Sequence, residues 1–190
     1  WEGQQSSKLC FWFTELGIKQ VYICPDVNYG AACHADKWIP VLPNTDAALQ
    51  LGIIYTWLEE GLWDEEYVKT HATGYEVFFD YVLGKEDGIP NTPTWAEGKC
   101  GVPARQIKAL ARQWNKQRTS IGHGNGGSYI RSIYSHEPAR LEVLAMCMQA
   151  IGTPGRNVMK FIEWQMMGQK SAMPGPRSEL IPYPGGAYKG

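Results

Sequence analysis

The sequence lacks the features that mark several common classes of protein. Its five cysteines are odd in number and widely spaced, without a C-x-x-C pair, which argues against a disulfide framework, a zinc site and an iron–sulfur cluster. No apolar run reaches the ~18 residues that a membrane span requires. The 18 Lys and Arg residues against 19 Asp and Glu give a net charge of −1 without a basic stripe, so nucleic acid is not an expected partner.

The chain does have enough apolar residues for a folded core. Hydrophobic residues make up 44% of its 190 residues, which suits one domain with a sizeable core. Because the chain begins at Trp1 without a methionine or a signal-like segment, we expect it to be a piece of a larger polypeptide, whose own targeting sequence would lie outside this piece. The expected location of that polypeptide is the cytoplasm. We predict a folded domain over residues 1–152 and an irregular extension, rich in Gly and Pro, over residues 153–190.

Short β-type runs alternate with helical periodicity along the domain, which predicts an α/β fold. We expect three layers around a mostly parallel, Rossmann-like sheet. The predicted strands are residues 21–24, 38–42 and 119–121. After the second strand, a long amphipathic helix is predicted to start at a cap on Asn44 or Thr45 and to end at Gly61.

Polar groups and turn-forming prolines follow the first two predicted strands at the points where those strands end. They are Cys24, Pro25 and Asp26 at the end of the first strand, and Pro43, Asn44 and Asp46 after the second. In open α/β sheets, ligands bind outside the carboxyl ends of the strands, where a following helix offers free N–H groups. The sequence therefore predicts a nucleotide site at this edge.

Asp46 has the most specific chemistry of these residues. A carboxylate can accept two parallel hydrogen bonds, from the N1–H and the exocyclic amine of guanine, a pairing that adenine cannot offer. Its alternative role is that of an ordinary acid in the first turn of a helix, where the helix dipole favours negative charge. Asp26 likewise has two interpretations, as a group that holds a ribose hydroxyl or as a side chain that caps the turn.

A second candidate site is the glycine-rich segment Gly-His-Gly-Asn-Gly-Gly at residues 122–127. It fits the G-x-G-x-x-G pattern, but the next predicted helix starts only at Ser135, so a nicotinamide-binding Rossmann domain is disfavoured. Glycines would let backbone N–H groups approach a pterin or a phosphate closely, and the alternative is a tight connection without a ligand. His123 lies between two glycines, and a functional and a structural role are both open for it.

The order of these segments resembles the molybdopterin-dinucleotide enzymes, the dimethyl sulfoxide reductase family. The resemblance is carried by residues 21–26, 34–46, 123–127 and 137–142. Where the family has a Pro-Gly-Thr-Asp-like turn, this chain has Pro43-Asn44-Thr45-Asp46. Asn is an acceptable replacement for Gly because it adopts the left-handed conformation more readily than most residues.

The resemblance implies a parent enzyme that binds two molybdopterin guanine dinucleotides around one molybdenum. The residues implied at the guanosine end are Cys24, Pro25, Asp26, Pro43, Asn44 and Asp46, and those at the pterin end are Gly122, Gly124 and Asn125. His123 and, in the tail, Tyr183 are the implied catalytic groups near the substrate. The metal ligand lies upstream in such enzymes, so we expect no metal ligand in this chain.

The transhydroxylase-like branch of the family acts on phenolic rings, which implies a hydroxylated aromatic substrate for the parent enzyme. The implied partners are the rest of the large subunit and an iron–sulfur small subunit. We expect the isolated chain to bind no cofactor and to be inactive. The alternatives are another molybdopterin oxidoreductase, and a noncatalytic nucleotide-binding module that uses the same fold.

Overall fold

The computed structural model describes residues 2–124 and 133–161, which form eight helices and four strands. The helices are α1 (Glu2–Glu15), α2 (Tyr29–His34), α3 (Asp46–Glu60), α4 (Glu65–His71), α5 (Tyr75–Val82), α6 (Pro93–Cys100), α7 (Ala104–Lys116) and α8 (His136–Met148). The strands are β1 (Val21–Ile23), β2 (Lys37–Ile39), β3 (Ile121–Gly124) and β4 (Val158–Phe161). The α/β class predicted from the sequence is therefore confirmed.

The strands form two parallel pairs within the described ranges. β1 pairs with β2, with Ile23 opposite Ile39, and β3 pairs with β4, with His123 opposite Lys160. The parallel direction of the pairs agrees with the prediction, whereas the three-layer Rossmann-like sheet stays a prediction.

The predicted strand ends are corrected by the structure. β2 stops at Ile39 because Pro40 has no backbone N–H to continue the ladder. The third strand lies at Ile121–Gly124 instead of residues 119–121, so the first three residues of the glycine-rich segment are strand and not loop. The expectation that residues 153–190 are irregular is wrong at Val158–Phe161, because β3 supplies the hydrogen-bond partners that this segment needs. The domain boundary after residue 152 stays a prediction.

The short helices α2 and α6 each begin with a side-chain cap. Asn28 accepts a hydrogen bond from the Ala31 N–H at the start of α2, although the Pro, Asn and Gly residues of segment 24–30 predict a turn there. Thr92 accepts one from the Trp95 N–H at the start of α6, where Pro93 occupies the first turn. The residue types at both starts are ordinary cap signals, but helices of this length show too few turns for periodicity to reveal them.

Helix α3 lies at the centre of the core and packs against α6, α7 and α8. Gly52 permits the contact with α6, since a Cβ atom there would lie 2.7 Å from the Cβ of Ala96. The indole Nε1 of Trp57 donates to the Ala111 carbonyl of α7 at 2.8 Å. The first turn of α3, which begins at Asp46, therefore belongs to a helix that is held from several sides.

Asn44 has the left-handed backbone conformation that the turn between β2 and α3 requires, with a φ of 62°. Its side chain is exposed, so the conformation, rather than packing, determines which residues fit there. We expect Asn44→Gly to leave the free energy of unfolding nearly unchanged. Asn44→Val is expected to lower it by about 1–2 kcal/mol, because a β-branched side chain tolerates the left-handed conformation much less well than Asn does. Urea unfolding of the two variants checks this, and equal stabilities would contradict it.

Candidate functional site

The candidate site lies where β1 and β2 end. Because the two strands are parallel and Ile23 pairs with Ile39, the segments that follow them leave the pair at the same edge. The Cys24 N–H donates to the Ile39 carbonyl at 3.3 Å, and the indole Nε1 of Trp38 donates to the Cys24 carbonyl at 3.1 Å. These bonds hold the turn after β1 against the end of β2.

The turn after β2 is closed by bonds of its own. The Leu42 N–H donates to the Cys100 carbonyl at 3.0 Å, which ties the turn to the end of α6. The Leu42 carbonyl accepts from the N–H and from the Oγ1 of Thr45, at 3.2 and 2.6 Å. Thr45 is the N-cap residue of α3, and it is one of the two positions that the sequence predicts for the cap. Its hydroxyl, however, bonds within the turn and does not cap the helix. The Ala48 N–H donates to the Thr45 carbonyl at 3.0 Å, whereas the N–H groups of Asp46 and Ala47 have no partner among the described residues and are available to a ligand.

The carboxylates of Asp26 and Asp46 retain their acceptor capacity. In residues 2–124 and 133–161, neither carboxylate has a hydrogen bond or an ion pair. The carboxylate of Asp36, in contrast, is already occupied: its two oxygens accept from Lys19 Nζ at 2.7 Å and from the Gln20 N–H at 2.9 Å. The hydrogen bond from Lys19 lowers the pKa of the Asp36 carboxyl. Asp46 is half-buried and Asp26 is exposed, so both can meet a ligand that presents N–H or O–H donors.

Cys24 shapes the turn as a neutral thiol. Its Sγ donates to the Asp26 carbonyl at 3.2 Å, and burial raises the pKa of the thiol above its ordinary value. A thiol in this state is a poor nucleophile and a poor metal ligand. Among the described residues there is also no group of three or more His, Cys, Asp and Glu side chains that could hold a metal ion.

Gln50 is a polar residue at this end of α3 that the sequence interpretation missed. Its Oε1 is buried and has no hydrogen-bond partner in the part of the chain that the structure describes. Gln50 lies one turn after Asp46, on the same side of the helix. The sequence signal that could have indicated this residue is its position as the single polar side chain within residues 47–54. A buried acceptor without a partner fits a ligand that brings a donor.

His123 lies within β3, and its ring contacts a carboxylate of α8. The Nδ1 atom is 2.8 Å from one oxygen of Glu142 and 3.2 Å from the other. The side chain of His123 is 19% exposed and that of Glu142 is 4% exposed. Sequence interpretation missed Glu142, although an acid beside the buried Leu141 and Ala145 on an amphipathic helix was an available signal.

The structure keeps the two candidate sites on different strand pairs. Because the glycine-rich segment follows a predicted strand, it is expected to emerge at the same sheet edge as the turn after Cys24. That expectation does not hold within the described ranges, where β3 pairs with β4 and not with β1 or β2. Gly122 and Gly124 lie in β3. Asn125 and Tyr183 lie outside the described residues. No helix in the described part of the chain is both long enough and apolar enough to cross a membrane.

The chain is similar in sequence to several known proteins, although no protein-family model matches it. It is 45% identical over 150 residues to the pyrogallol hydroxytransferase large subunit of Pelobacter acidigallici, covering 77% of this chain and 17% of that protein. It is 38% identical over 135 residues to the trimethylamine-N-oxide reductase of Haemophilus influenzae, and this match covers 70% of this chain and 16% of that protein. It is also 38% identical over 143 residues to the dimethyl sulfoxide/trimethylamine N-oxide reductase of Cereibacter sphaeroides, and this match covers 74% of this chain and 17% of that protein.

Among solved structures, the chain is similar to acetylene hydratase from Pelobacter acetylenicus. The TM-score is 0.48 with 29% sequence identity, over 56% of this chain and 14% of that one. In each comparison the chain spans only a small part of the relative, between 14% and 17% of its length.

Proposed function

Because the chain belongs, as one segment, to the dimethyl sulfoxide reductase family of molybdopterin enzymes, we propose that it supplies the guanosine end of a molybdopterin guanine dinucleotide site. The observation that carries the proposal is the parallel register of β1 and β2. It brings two polar turns to one edge, next to the free N–H groups at the start of α3.

In this proposal each residue at the edge has a distinct task. The Asp46 carboxylate accepts from the N1–H and the exocyclic amine of guanine, and Asp26 holds a ribose hydroxyl. Gln50 offers a further acceptor, since its buried Oε1 has no partner among the described residues. The remaining residues, Cys24, Pro25, Pro43 and Asn44, shape the two turns.

We place the pterin end of the same cofactor at Gly122, Gly124 and Asn125. His123 faces the pterin or the substrate channel, and Tyr183 works near the substrate. The support for this part is the glycine content of the segment, which keeps side chains away from a flat ligand. When bound, the molybdenum of the cofactor supplies the redox or group-transfer chemistry, while the residues of this chain bind and orient the cofactor.

The full polypeptide is proposed to be a molybdenum oxidoreductase or hydroxytransferase that acts on phenolic or other hydroxylated aromatic substrates. The relative that supports this substrate class is the pyrogallol hydroxytransferase large subunit. The rest of the large subunit would supply the metal ligand and complete the three-layer sheet. An iron–sulfur small subunit is the proposed partner, and the cytoplasm is the proposed location.

Replacing Asp46 tests the guanosine site. In the full polypeptide, Asp46→Asn keeps the size of the side chain but presents a donor where guanine also presents one. We expect the affinity for the guanine dinucleotide to fall by about 5- to 150-fold, which corresponds to about 1–3 kcal/mol for donors left unpaired. Titration of the cofactor-free protein, together with competition by guanosine and adenosine monophosphates, measures affinity and base preference.

Asp36→Asn is the matched control for this substitution. The Asp36 carboxylate already binds Lys19 and Gln20, so its loss is expected to leave cofactor affinity unchanged. An Asp46→Asn protein with wild-type affinity and an unchanged preference for guanine would refute the proposed guanosine site.

A further inference from the structure

Glu142 is a buried acid inside the apolar packing of α8. Its side chain is 4% exposed, and its neighbours Leu141 and Ala145 are buried with it. Moving a carboxylate out of water is costly unless partners compensate for the lost hydration. The carboxylate lies against the ring of His123 on β3, so the helix and the strand meet at this pair.

The contact constrains the histidine ring in two ways. Both carboxylate oxygens lie near the same nitrogen, at 2.8 and 3.2 Å from Nδ1, which limits rotation of the imidazole. An ionised carboxylate can only accept hydrogen bonds, so Nδ1 must carry the proton that is shared in this contact. In a neutral ring, the other nitrogen, Nε2, then presents its lone pair.

We propose that Glu142 is a positioning residue that holds His123 in the tautomer protonated at Nδ1, with Nε2 as the hydrogen-bond acceptor. A carboxylate that orients a histidine in this way is a recurring device in sites where one ring nitrogen must have a defined role. The effect on turnover rests on the proposed function, in which His123 faces the pterin or the substrate. The tautomer itself does not depend on that function.

The tautomer is measured by NMR on the full polypeptide labelled with ¹⁵N-histidine, at a pH at which the ring is neutral. The His123 signals are identified by their loss in His123→Gln. We expect a protonated Nδ1 and an unprotonated Nε2 in the wild type. Glu142→Leu, which removes the acceptor at similar volume, is expected to abolish this preference. Glu137→Leu is the matched control, because Glu137 is a more exposed acid on the same helix, paired with His136 and Arg140.

Two NMR results would overturn the inference: a wild-type His123 protonated at Nε2, or an unchanged tautomer in folded Glu142→Leu. If Glu142→Leu does not fold, the wild-type spectrum alone still shows which nitrogen of His123 is protonated. Circular dichroism compares the folding of all variants.

Turnover separates this inference from the proposed function. We expect Glu142→Leu to lower kcat by about 10- to 100-fold at full molybdenum and pterin content, with KM little changed. Glu142→Gln keeps an acceptor oxygen and is expected to recover part of kcat. A loss in Glu142→Gln as large as in Glu142→Leu would count against positioning through a hydrogen bond. If Nδ1 is protonated but His123→Gln retains wild-type turnover and cofactor content, the tautomer assignment is supported and the proposed site role of His123 fails.

Discussion

Replacing Trp57 by alanine is expected to lower the free energy of unfolding by about 3–5 kcal/mol, the usual cost of removing a large aromatic side chain from a core. Trp57 is 0% exposed and packs edge-on against Trp114, with ring centroids 5.1 Å apart. Its Nε1 donates to the Ala111 carbonyl, so a buried hydrogen bond is lost together with the packing. Urea unfolding followed by far-ultraviolet circular dichroism measures the change.

Trp12 provides the matched control for this prediction. It lies on α1 and is 55% exposed, so Trp12→Ala is expected to change the free energy of unfolding by no more than about 0.5 kcal/mol. Trp57→Phe, which keeps an aromatic ring but loses the indole donor, is expected to fall between the two. Equal effects at positions 57 and 12 would show that α3 is not the centre of the core.

The Trp57 prediction also concerns the candidate site, because one helix carries both features. Asp46 is the first residue of α3, and Trp57 lies near its other end. A loosened α3 would misplace the first-turn N–H groups and the Asp46 carboxylate relative to the turn after β1. We therefore expect Trp57→Ala to weaken cofactor binding in the full polypeptide as well, although Trp57 is far along the helix from the site.

Gly84→Ala is the second substitution with a large expected effect. Gly84 has a φ of 74°, and a Cβ atom there would lie 2.4 Å from the Pro90 nitrogen and 2.6 Å from the Ile89 carbonyl carbon. The left-handed conformation costs about 1–2 kcal/mol for a residue other than glycine. Overpacking against backbone atoms, which cannot rotate away, adds about 1–3 kcal/mol. The free energy of unfolding is therefore expected to fall by about 2–5 kcal/mol.

Gly88 separates these two contributions. It has nearly the same φ, 75°, but a Cβ atom there would meet nothing within 4 Å. Gly88→Ala is thus expected to cost only the conformational term, about 1–2 kcal/mol. The difference between the two variants in urea unfolding measures the contact with residues 89 and 90. If Gly88→Ala costs as much as Gly84→Ala, that contact contributes nothing.

Several parts of this protein follow from the sequence alone, because local signals decide them. The stripe of apolar residues predicted α3, and Gly61, with a φ of 64°, ends that helix as expected. Asn44 adopts the left-handed conformation that its position in the turn indicated. The family was also recognisable from short motifs, since those motifs are set by residues adjacent in the chain.

Other parts were decided only by tertiary structure. Glycine-rich residues 122–124 form a strand because β4, from a segment predicted to be irregular, pairs with them. The pairing of His123 with Glu142 joins residues 19 positions apart on different elements, so no local pattern could indicate it. The same holds for the shared edge after β1 and β2, which depends on their parallel register. Contacts between distant segments determine these features, and a single sequence carries only weak information about them.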